Sequence, residues 1–561
     1  MDRTATMSTS RLPIEHFIDR LSRMTPEERR LAIETDPLPA NVGALLDEAA
    51  AEVGDKPAWN FFEAGVVTTY SALAAEVNRT ANALRAWGVT RGTHIAVMLP
   101  NIPLMPTIWL AIAKLGAVMA PVNVRYTARE VRYIANDSDA DFLIAHADYR
   151  DLLSPEWDSE EQALAIPPDH IALAGAPDAG PYRRWEEIAA GQSATLVLDY
   201  APGHDDLLNI QYTSGTTGFP KGCMLSHRYW LSAGKVNGLR DGKRFERILA
   251  STPFFYLDPQ WLLLLAFHQR GTLYVANRQS ASRFAGWLAE HRIHFCLFPE
   301  VVYKQPPSPH DAEICLRRAN IYGVRKEIHA DLRQRFNAPA MEAFGMTEVG
   351  PTLFVPLEAT EMVGSGSCGK PTAFRECRVV DEDGKDVPQG EIGELVVRGK
   401  GLMQGYYKKP EANRDSYFGE WFRTGDLFRK DEQGYHYIVG RLKDMVRRAG
   451  ENIAAREVEA VLKNLPEVMD AAVVAVPDDT RGQEVKAYIV RQPDLPEDAL
   501  PLARIFEHCD RNLAAFKVPR YIEFIDTLPR TPSEKIAKGE LIKAKSDLRL
   551  GAYDRVADCW R

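Results

Sequence analysis

Eleven residues, Tyr212-Thr-Ser-Gly-Thr-Thr-Gly-Phe-Pro-Lys-Gly222, carry three glycines, four hydroxyl side chains besides Tyr212, and one lysine. A compact core has no use for so polar and so conformationally free a span, whereas an anion does. Glycine lets backbone N–H groups approach a phosphate closely, Thr213, Ser214, Thr216 and Thr217 add donors, and Lys221 adds charge. Leu207 to Tyr212 reads as a buried strand feeding the loop, and Ser226 can cap a helix leaving it. The stretch is not a G-x-x-x-x-G-K-[ST] loop, because Pro220 stands at the sixth position counted from Gly215. Taken alone it could also be a polar turn, so the rest of the chain has to decide.

At 561 residues the chain exceeds what one hydrophobic core supports, which implies at least two domains. Lys plus Arg total 68 against 77 Asp plus Glu, a formal charge of -9 with no basic stripe, so a nucleic-acid partner is not expected. Seven scattered cysteines, never in C-x-x-C spacing, fit free thiols in a reducing cytosol better than zinc or disulfides. The longest strongly apolar run, Trp261 to Phe267, is too short to span a bilayer. The N-terminus offers no apolar signal segment, and the expectation is a cytoplasmic protein.

Residues 1–40 read as a helical extension. Ile14, Phe17, Ile18 and Leu21 share one helical face, and Thr25-Pro-Glu-Glu28 is a capping box with proline at the first helical position. Packing on the main body is expected there, with a homodimer contact as the alternative. From about 41 to 200, periodic helices (Tyr70 to Trp87, Leu104 to Leu115) alternate with short apolar strands (His94 to Leu99, Val118 to Val122), the pattern of an α/β domain with a parallel sheet. Past residue 370 strands and turns dominate, implying a β subdomain. After Asp444 a compact module follows, with a helix at Glu457 to Leu465 and strands at Ala471 to Val476 and Val485 to Val490. The expected architecture is therefore a large α/β domain over 41–443 with parallel-sheet layers and a β subdomain, then a small α+β domain over 444–561.

Five further stretches accompany the opening loop: Phe344-Gly-Met-Thr-Glu348, Thr424-Gly-Asp426, Gly440-Arg-Leu-Lys-Asp444, Gly450-Glu-Asn-Ile453 and Pro532-Ser-Glu-Lys-Ile536. In this order and spacing the set resembles the adenylate-forming superfamily of acyl-CoA synthetases, adenylation domains and beetle luciferases, over roughly residues 41 to 545. The resemblance implies ATP, Mg²⁺ and coenzyme A as reactants and cofactor, a small-molecule carboxylic acid as substrate, and a two-step ligation through an acyl adenylate. It places Thr213, Ser214, Gly215, Thr216, Thr217, Gly218 and Lys221 on the ATP phosphates, and Gly323, Phe344 and Gly345 around adenine. Asp426 and Arg441 fall to the ribose, Thr347 to the α-phosphate, Glu348 to the metal and Lys535 to the catalysis of adenylation. Asp444 matches a hinge about which a mobile small domain rotates, and Arg447, Arg448, Ala449 and Gly450 would line the coenzyme A approach. Residue chemistry agrees: Mg²⁺ is a hard cation bound through one or two carboxylates and phosphate oxygens, and a carboxylate suits two vicinal hydroxyls.

Three departures from the family pattern stand out, namely Glu534 and Ala449 where glycine is usual and Tyr256 where histidine is common. Acid choice is expected in Pro253-Phe-Phe-Tyr-Leu-Asp-Pro-Gln-Trp261, where Phe255, Tyr256 and Trp261 could wall in a hydrophobic, aryl-bearing monocarboxylic acid. Core packing is the competing reading, preferred for Leu262 to Phe267. Another is an aromatic cage for a quaternary ammonium with Asp258 as counter-charge, in line with a layout that also resembles carnitine or crotonobetaine CoA ligases. A fatty acid ligase and a carrier-protein-loading enzyme complete the alternatives.

Overall fold

The apolar run after Asp258 forms the helix Leu257–Gln269, in which every residue from Pro259 to Gln269 is buried. A helix apolar on all sides must sit between two layers, and this one does. With its neighbour His227–Leu239, likewise buried almost throughout, it lies in the core shared by the two large sheets. Burial contributes about 1.5–3 kcal/mol for each large apolar side chain. The two helices cross closely at Gly234, where an added Cβ would stand 2.6 Å from Leu264 Cβ. The polar atoms enclosed there are satisfied in a chain: Trp109 donates to Asn209 (2.9 Å), Asn209 to Gln260 (3.0 Å), and Gln260 to the Phe254 carbonyl (2.9 Å).

The protein's structure is a computed structural model that describes residues 13–155, 163–213, 220–448, 451–493, 495–496, 499–531 and 535–561. One sheet holds the parallel strands His94–Met98, Val118–Pro121, Phe142–His146, Ile171–Ala174, Arg183–Arg184 and Leu207–Thr213, with Lys221–Ser226 antiparallel at its edge. The other joins Pro57–Phe61, Thr272–Val275, Arg247–Ala250, Phe295–Leu297, Arg318–Ile321 and Ala340–Met346 in parallel. Its pairing continues antiparallel through Gly350–Phe354 into the β subdomain, which includes Ser367–Pro371, Trp421–Lys430 and His436–Arg441. The expected α/β class with a β subdomain and a small α+β domain is the observed one. Helices Tyr70–Trp87 and Leu104–Leu115 have the predicted bounds, while strand ends differ by at most three residues.

Strand pairing changes sheets between Arg441 and Met445. His436–Arg441 pairs with the β subdomain, and after the 3-10 turn Leu442–Asp444 the strand Met445–Arg448 joins a separate seven-stranded sheet. That sheet carries the hairpin Val468–Asp478 with Gly482–Arg491, and the helix Ala455–Lys463 packs with it through Val458 and Leu462. The N-terminal helices Ile14–Ser22 and Pro26–Thr35 lie on the body: Phe17, Ile18, Leu21 and Ile33 share a core with Val236 and Leu239. Both halves of the capping box form, with the Thr25 N–H donating to Glu28 (2.8 Å) and the Glu28 N–H to Thr25 Oγ1 (3.3 Å). Among the described residues no helix is long and apolar enough to cross a membrane.

Candidate functional site

Ser226 caps the helix His227–Leu239 as expected, and a strand that the sequence does not announce stands between the loop and that cap. Lys221 opens this strand, Lys221–Ser226, which folds back antiparallel on Leu207–Thr213 with Thr213 opposite Lys221. The stretch is a hairpin. Gly222 permits it, since a Cβ there would meet Ile210 Cγ2 at 2.4 Å and the Tyr212 ring at 3.1 Å. Ser214, Gly215, Thr216, Thr217 and Gly218 lie outside the described residues, so the structure places the two feet of the loop, Thr213 and Lys221.

The second component is a turn. Strands Ala340–Met346 and Gly350–Phe354 pair antiparallel, and Thr347 and Glu348 occupy the bend between them. Gly345 is required there, because a Cβ would come within 2.6 Å of the Gly350 carbonyl oxygen. Glu348 is 8% exposed, has no cationic ion-pair partner among the described residues, and accepts a hydrogen bond from the Tyr406 hydroxyl on Oε1 (2.9 Å). Among the described residues no cluster of three or more His, Cys, Asp or Glu could hold a metal unaided. A single uncompensated carboxylate completed by substrate phosphate oxygens nonetheless fits Mg²⁺. Phe344 stands edge-on to Phe428, 5.0 Å between ring centroids.

Asp426 and Arg441 face each other on paired strands, with Arg441 Nε 3.1 Å from Asp426 Oδ1. Burial raises the Asp426 pKa, against Arg441, Arg456 and Lys535, which lower it. Gly323 adopts φ +66°, and its N–H and that of Val324 donate to the two oxygens of Glu342 (3.0 and 2.9 Å). Arg456, from the helix Ala455–Lys463, brings its guanidinium against Gly323. Neither Glu342 nor Arg456 was singled out by motif; their role emerges only from the fold.

Glu342 makes the turn at Gly323 and Val324 sensitive to pH. Burial pushes its carboxyl up to about 7, against two N–H donors and Arg456. The folded-state pKa thus exceeds the ordinary 4.5, so between those values the folded chain holds a proton that the unfolded chain has lost. The associated stability is complete below about pH 4.5 and is lost as pH rises through about 7. Melting temperatures across this interval are expected to fall less steeply for Glu342→Gln than for the parent; parallel curves would refute the assignment.

Lys535 reaches this cluster from the small domain. Its loop is pinned by the Thr531 N–H donating to the Lys535 carbonyl (2.7 Å) and the Lys535 N–H to Thr531 Oγ1 (3.2 Å), while Pro532, Ser533 and Glu534 lie outside the described residues. The side chain is exposed to the cleft yet its ammonium is walled by protein. Desolvation foremost, then Arg441, lowers its pKa, while Glu348, Asp426 and Asp258 raise it. Asp444 sits 3.7 Å from Lys538 Nζ, which is 2.6 Å from Glu459. Arg448 is engaged by the fully buried Glu484 (2.6 Å), and Arg447 pairs across to Glu382 (2.8 Å); Ala449 and Gly450 lie outside the described residues.

The expected aromatic wall is not where the space is. Phe255 and Trp261 are 4% exposed and belong to the core, and the Tyr256 hydroxyl accepts from Asn123 and Arg125 (3.2 Å each). A cavity of about 190 Å³ lies beside the same turn, lined from this segment by Asp258 and Leu262 and from elsewhere by Thr252, Phe298, Glu300 and Tyr322. The helical turn explains the exchange: Asp258 and Leu262, four residues apart, share a face. Burial raises the Asp258 pKa, while the Trp261 indole N–H (3.1 Å) and Lys535 oppose that. Glu300 is already paired with Arg325 (2.9 Å).

The chain is similar to known proteins over most of its length. The model of the AMP-binding enzyme family matches residues 46–407, and that of the AMP-binding enzyme C-terminal domain matches 457–535. A crotonobetaine/carnitine–CoA ligase of Salmonella paratyphi A is 31% identical over 522 residues, covering 89% of this chain and 98% of that one. Among solved structures, the anthranilate CoA ligase AuaEII with anthranoyl-AMP superposes with a TM-score of 0.80 at 25% identity, covering 93% and 99% of the two chains. ATP-bound MatB from Rhodopseudomonas palustris gives 0.78 at 26% identity, covering 90% and 99%.

Proposed function

Because the chain belongs to the AMP-binding enzyme family, we propose a full reading of its chemistry, carried by one observation: Lys535 of the small domain faces the carboxylates of Glu348, Asp426 and Asp258. The protein is an ATP-dependent, AMP-forming carboxylic acid:CoA ligase. In the first half-reaction a substrate carboxylate oxygen attacks the α-phosphorus and pyrophosphate leaves. Negative charge grows on both, so preorganised cations and N–H donors supply most of the stabilisation. Lys535 neutralises the carboxylate and α-phosphoryl oxygens, Thr347 donates to the α-phosphate, and Lys221 with its loop steadies the outer phosphates. Asp426 accepts from the ribose hydroxyls, with Arg441 holding its charge. Glu348 is the carboxylate for Mg²⁺, which when bound offsets the phosphate charge. In the second half-reaction the thiol sulfur attacks the acyl carbon, AMP leaves, and the thiol proton passes to solvent.

Rotation about Asp444 would withdraw Lys535 and part the Arg447–Glu382 pair, since Glu382 belongs to the large domain. Arg448 and Glu484 both ride on the small domain and stay together. Arg447 is therefore a better candidate than Arg448 for the phosphates of coenzyme A.

The cavity turns the choice of acid from the hydrophobic reading toward the cationic one. Burial of the Asp258 carboxylate is costly unless cations offset it, and a quaternary ammonium in a cavity lined by Asp258, Phe298 and Tyr322 would add one to Lys535. A matched pair tests this: 4-(trimethylammonio)butanoate and its neutral carbon isostere, 5,5-dimethylhexanoate, assayed for AMP release with ATP and coenzyme A. The charged acid is expected to be preferred by about 10²-fold, and Asp258→Asn should bring the ratio near one. A preference for the isostere would end the cationic reading while leaving the ligase intact. Absence of acid-dependent AMP across fatty, aryl-alkanoic, benzoic and betaine-type acids would end both.

A further inference from the structure

We propose that Tyr406 is a positioning residue that joins the phosphate clamp to the metal carboxylate, so that the two halves of the nucleotide site are set by one side chain. The inference rests on the ligase reading above, in which Lys221 holds phosphate and Glu348 holds Mg²⁺. Tyr406 touches both. Its hydroxyl donates to Glu348 Oε1 (2.9 Å), and Lys221 Nζ stands 4.1 Å from the centre of its ring. The residue is 5% exposed, so neither contact is a chance meeting of surface side chains.

The backbone around it is bonded to Glu348 and to the residue that follows Lys221. The Met403 N–H donates to the Glu348 carbonyl (2.9 Å) and the Tyr407 N–H to the Gly222 carbonyl (2.8 Å). Between them Gln404 donates to Met224 (2.8 Å), Met224 donates back to Gly405 (2.9 Å), and Cys223 bridges to Tyr406. Residues 404–407 thus form one more antiparallel segment on the strand that starts with Lys221, while residue 403 grips the turn that holds Glu348.

The chemistry follows from which oxygen is taken. A donor on Oε1 fixes the rotamer of Glu348 and leaves Oε2 for a cation, and it eases the burial of a charge that no described lysine or arginine pairs. The ring meanwhile holds the Lys221 ammonium by cation–π attraction, which lets the same ammonium still face a phosphate.

Isothermal calorimetry with α,β-methylene-ATP, with and without Mg²⁺, tests the role apart from turnover. Tyr406→Phe keeps the ring and loses the hydroxyl. It should raise the Mg²⁺ concentration for half-saturation about 10-fold while metal-free nucleotide affinity stays at the parent value. Tyr406→Leu loses the ring as well and should also weaken metal-free binding about 5-fold. In a Glu348→Gln background, Tyr406→Phe should change the Mg²⁺ response no further. A parental Mg²⁺ response in Tyr406→Phe would overturn the proposal, as would equal losses of metal-free affinity in the Phe and Leu variants. If the parent itself bound no nucleotide, the ligase reading would fall instead.

Discussion

Replacing Lys535 by alanine is expected to slow acid-dependent acyl-AMP formation by about 10²- to 10³-fold while leaving transfer from preformed acyl-AMP to coenzyme A within a few-fold of the parent. The asymmetry follows from where the lysine is anchored. Its loop belongs to the small domain, held by Thr531 and by the bridge between Arg530 and Ile536, whereas the charges it faces belong to the large domain. Only an orientation that closes this gap can use the ammonium, and in the first half-reaction two anions, carboxylate and α-phosphate, must be brought together. In the second, a neutral acyl carbon meets a thiol and no comparable charge has to be countered. Pyrophosphate exchange and single-turnover thioester formation separate the two steps. Equal losses in both would mark Lys535 as a structural residue and sink the assignment. Because the side chain is exposed and, among the described residues, makes no buried hydrogen bond, the variant should melt at the parent's temperature, so a loss of fold will not be confused with a loss of chemistry.

The second large effect should come from Glu348→Gln. The substitution keeps the size and the hydrogen bond from Tyr406 but removes the charge. Adenylation is expected to fall about 10²-fold at ordinary Mg²⁺, with partial recovery when Mg²⁺ is raised, read as a shifted metal titration of pyrophosphate exchange. An unshifted titration would mean that the metal is held elsewhere, and the single-carboxylate site would have to be abandoned. Asp426 is a useful contrast. Its partner Arg441 is retained in an Asp426→Asn variant, so losses there should appear in ATP affinity and leave the metal titration in place.

Local signals were strong wherever one physical requirement decides a residue. The Thr25 box, the helix Tyr70–Trp87 and the uninterrupted apolar run before Gln269 each announce their structure, because capping, periodicity and burial act on neighbours in the chain. The motifs likewise led to residues that the fold gathers, since Glu348, Asp426, Arg441 and Lys535 come within electrostatic reach of one another across almost two hundred positions. Pairings between distant segments were not legible. Nothing in Gly405-Tyr406-Tyr407 announces that its hydroxyl will reach Glu348, and Glu342 looks like any strand residue until Gly323 and Val324 turn their N–H groups on it. The aromatic segment misled for a related reason. Phe255 and Trp261 are large and apolar enough to build either a pocket or a core, and only the register of the following helix sends them inward and Asp258 outward. Arg448 stands in the sequence as available charge, yet a buried carboxylate 36 residues away in the small domain's hairpin claims it.

The added segment at residues 404–407 has a meaning beyond the nucleotide. The strand Lys221–Ser226 is the last of its sheet, and a terminal strand normally displays a row of unpaired N–H and C=O groups that a second molecule can adopt. Here Gln404 and Tyr407 donate to that strand and Met224 donates outward to Gly405, so the row is occupied from within the chain. During synthesis the strand emerges about 180 residues before its cover. Through that interval the nascent protein carries an open edge beside a loop rich in glycine and hydroxyl residues, and a chain cut short before Gln404 would keep it permanently. Solubility is thus a second duty of the segment that carries Tyr406, and it rests on main-chain pairing rather than on the side chain.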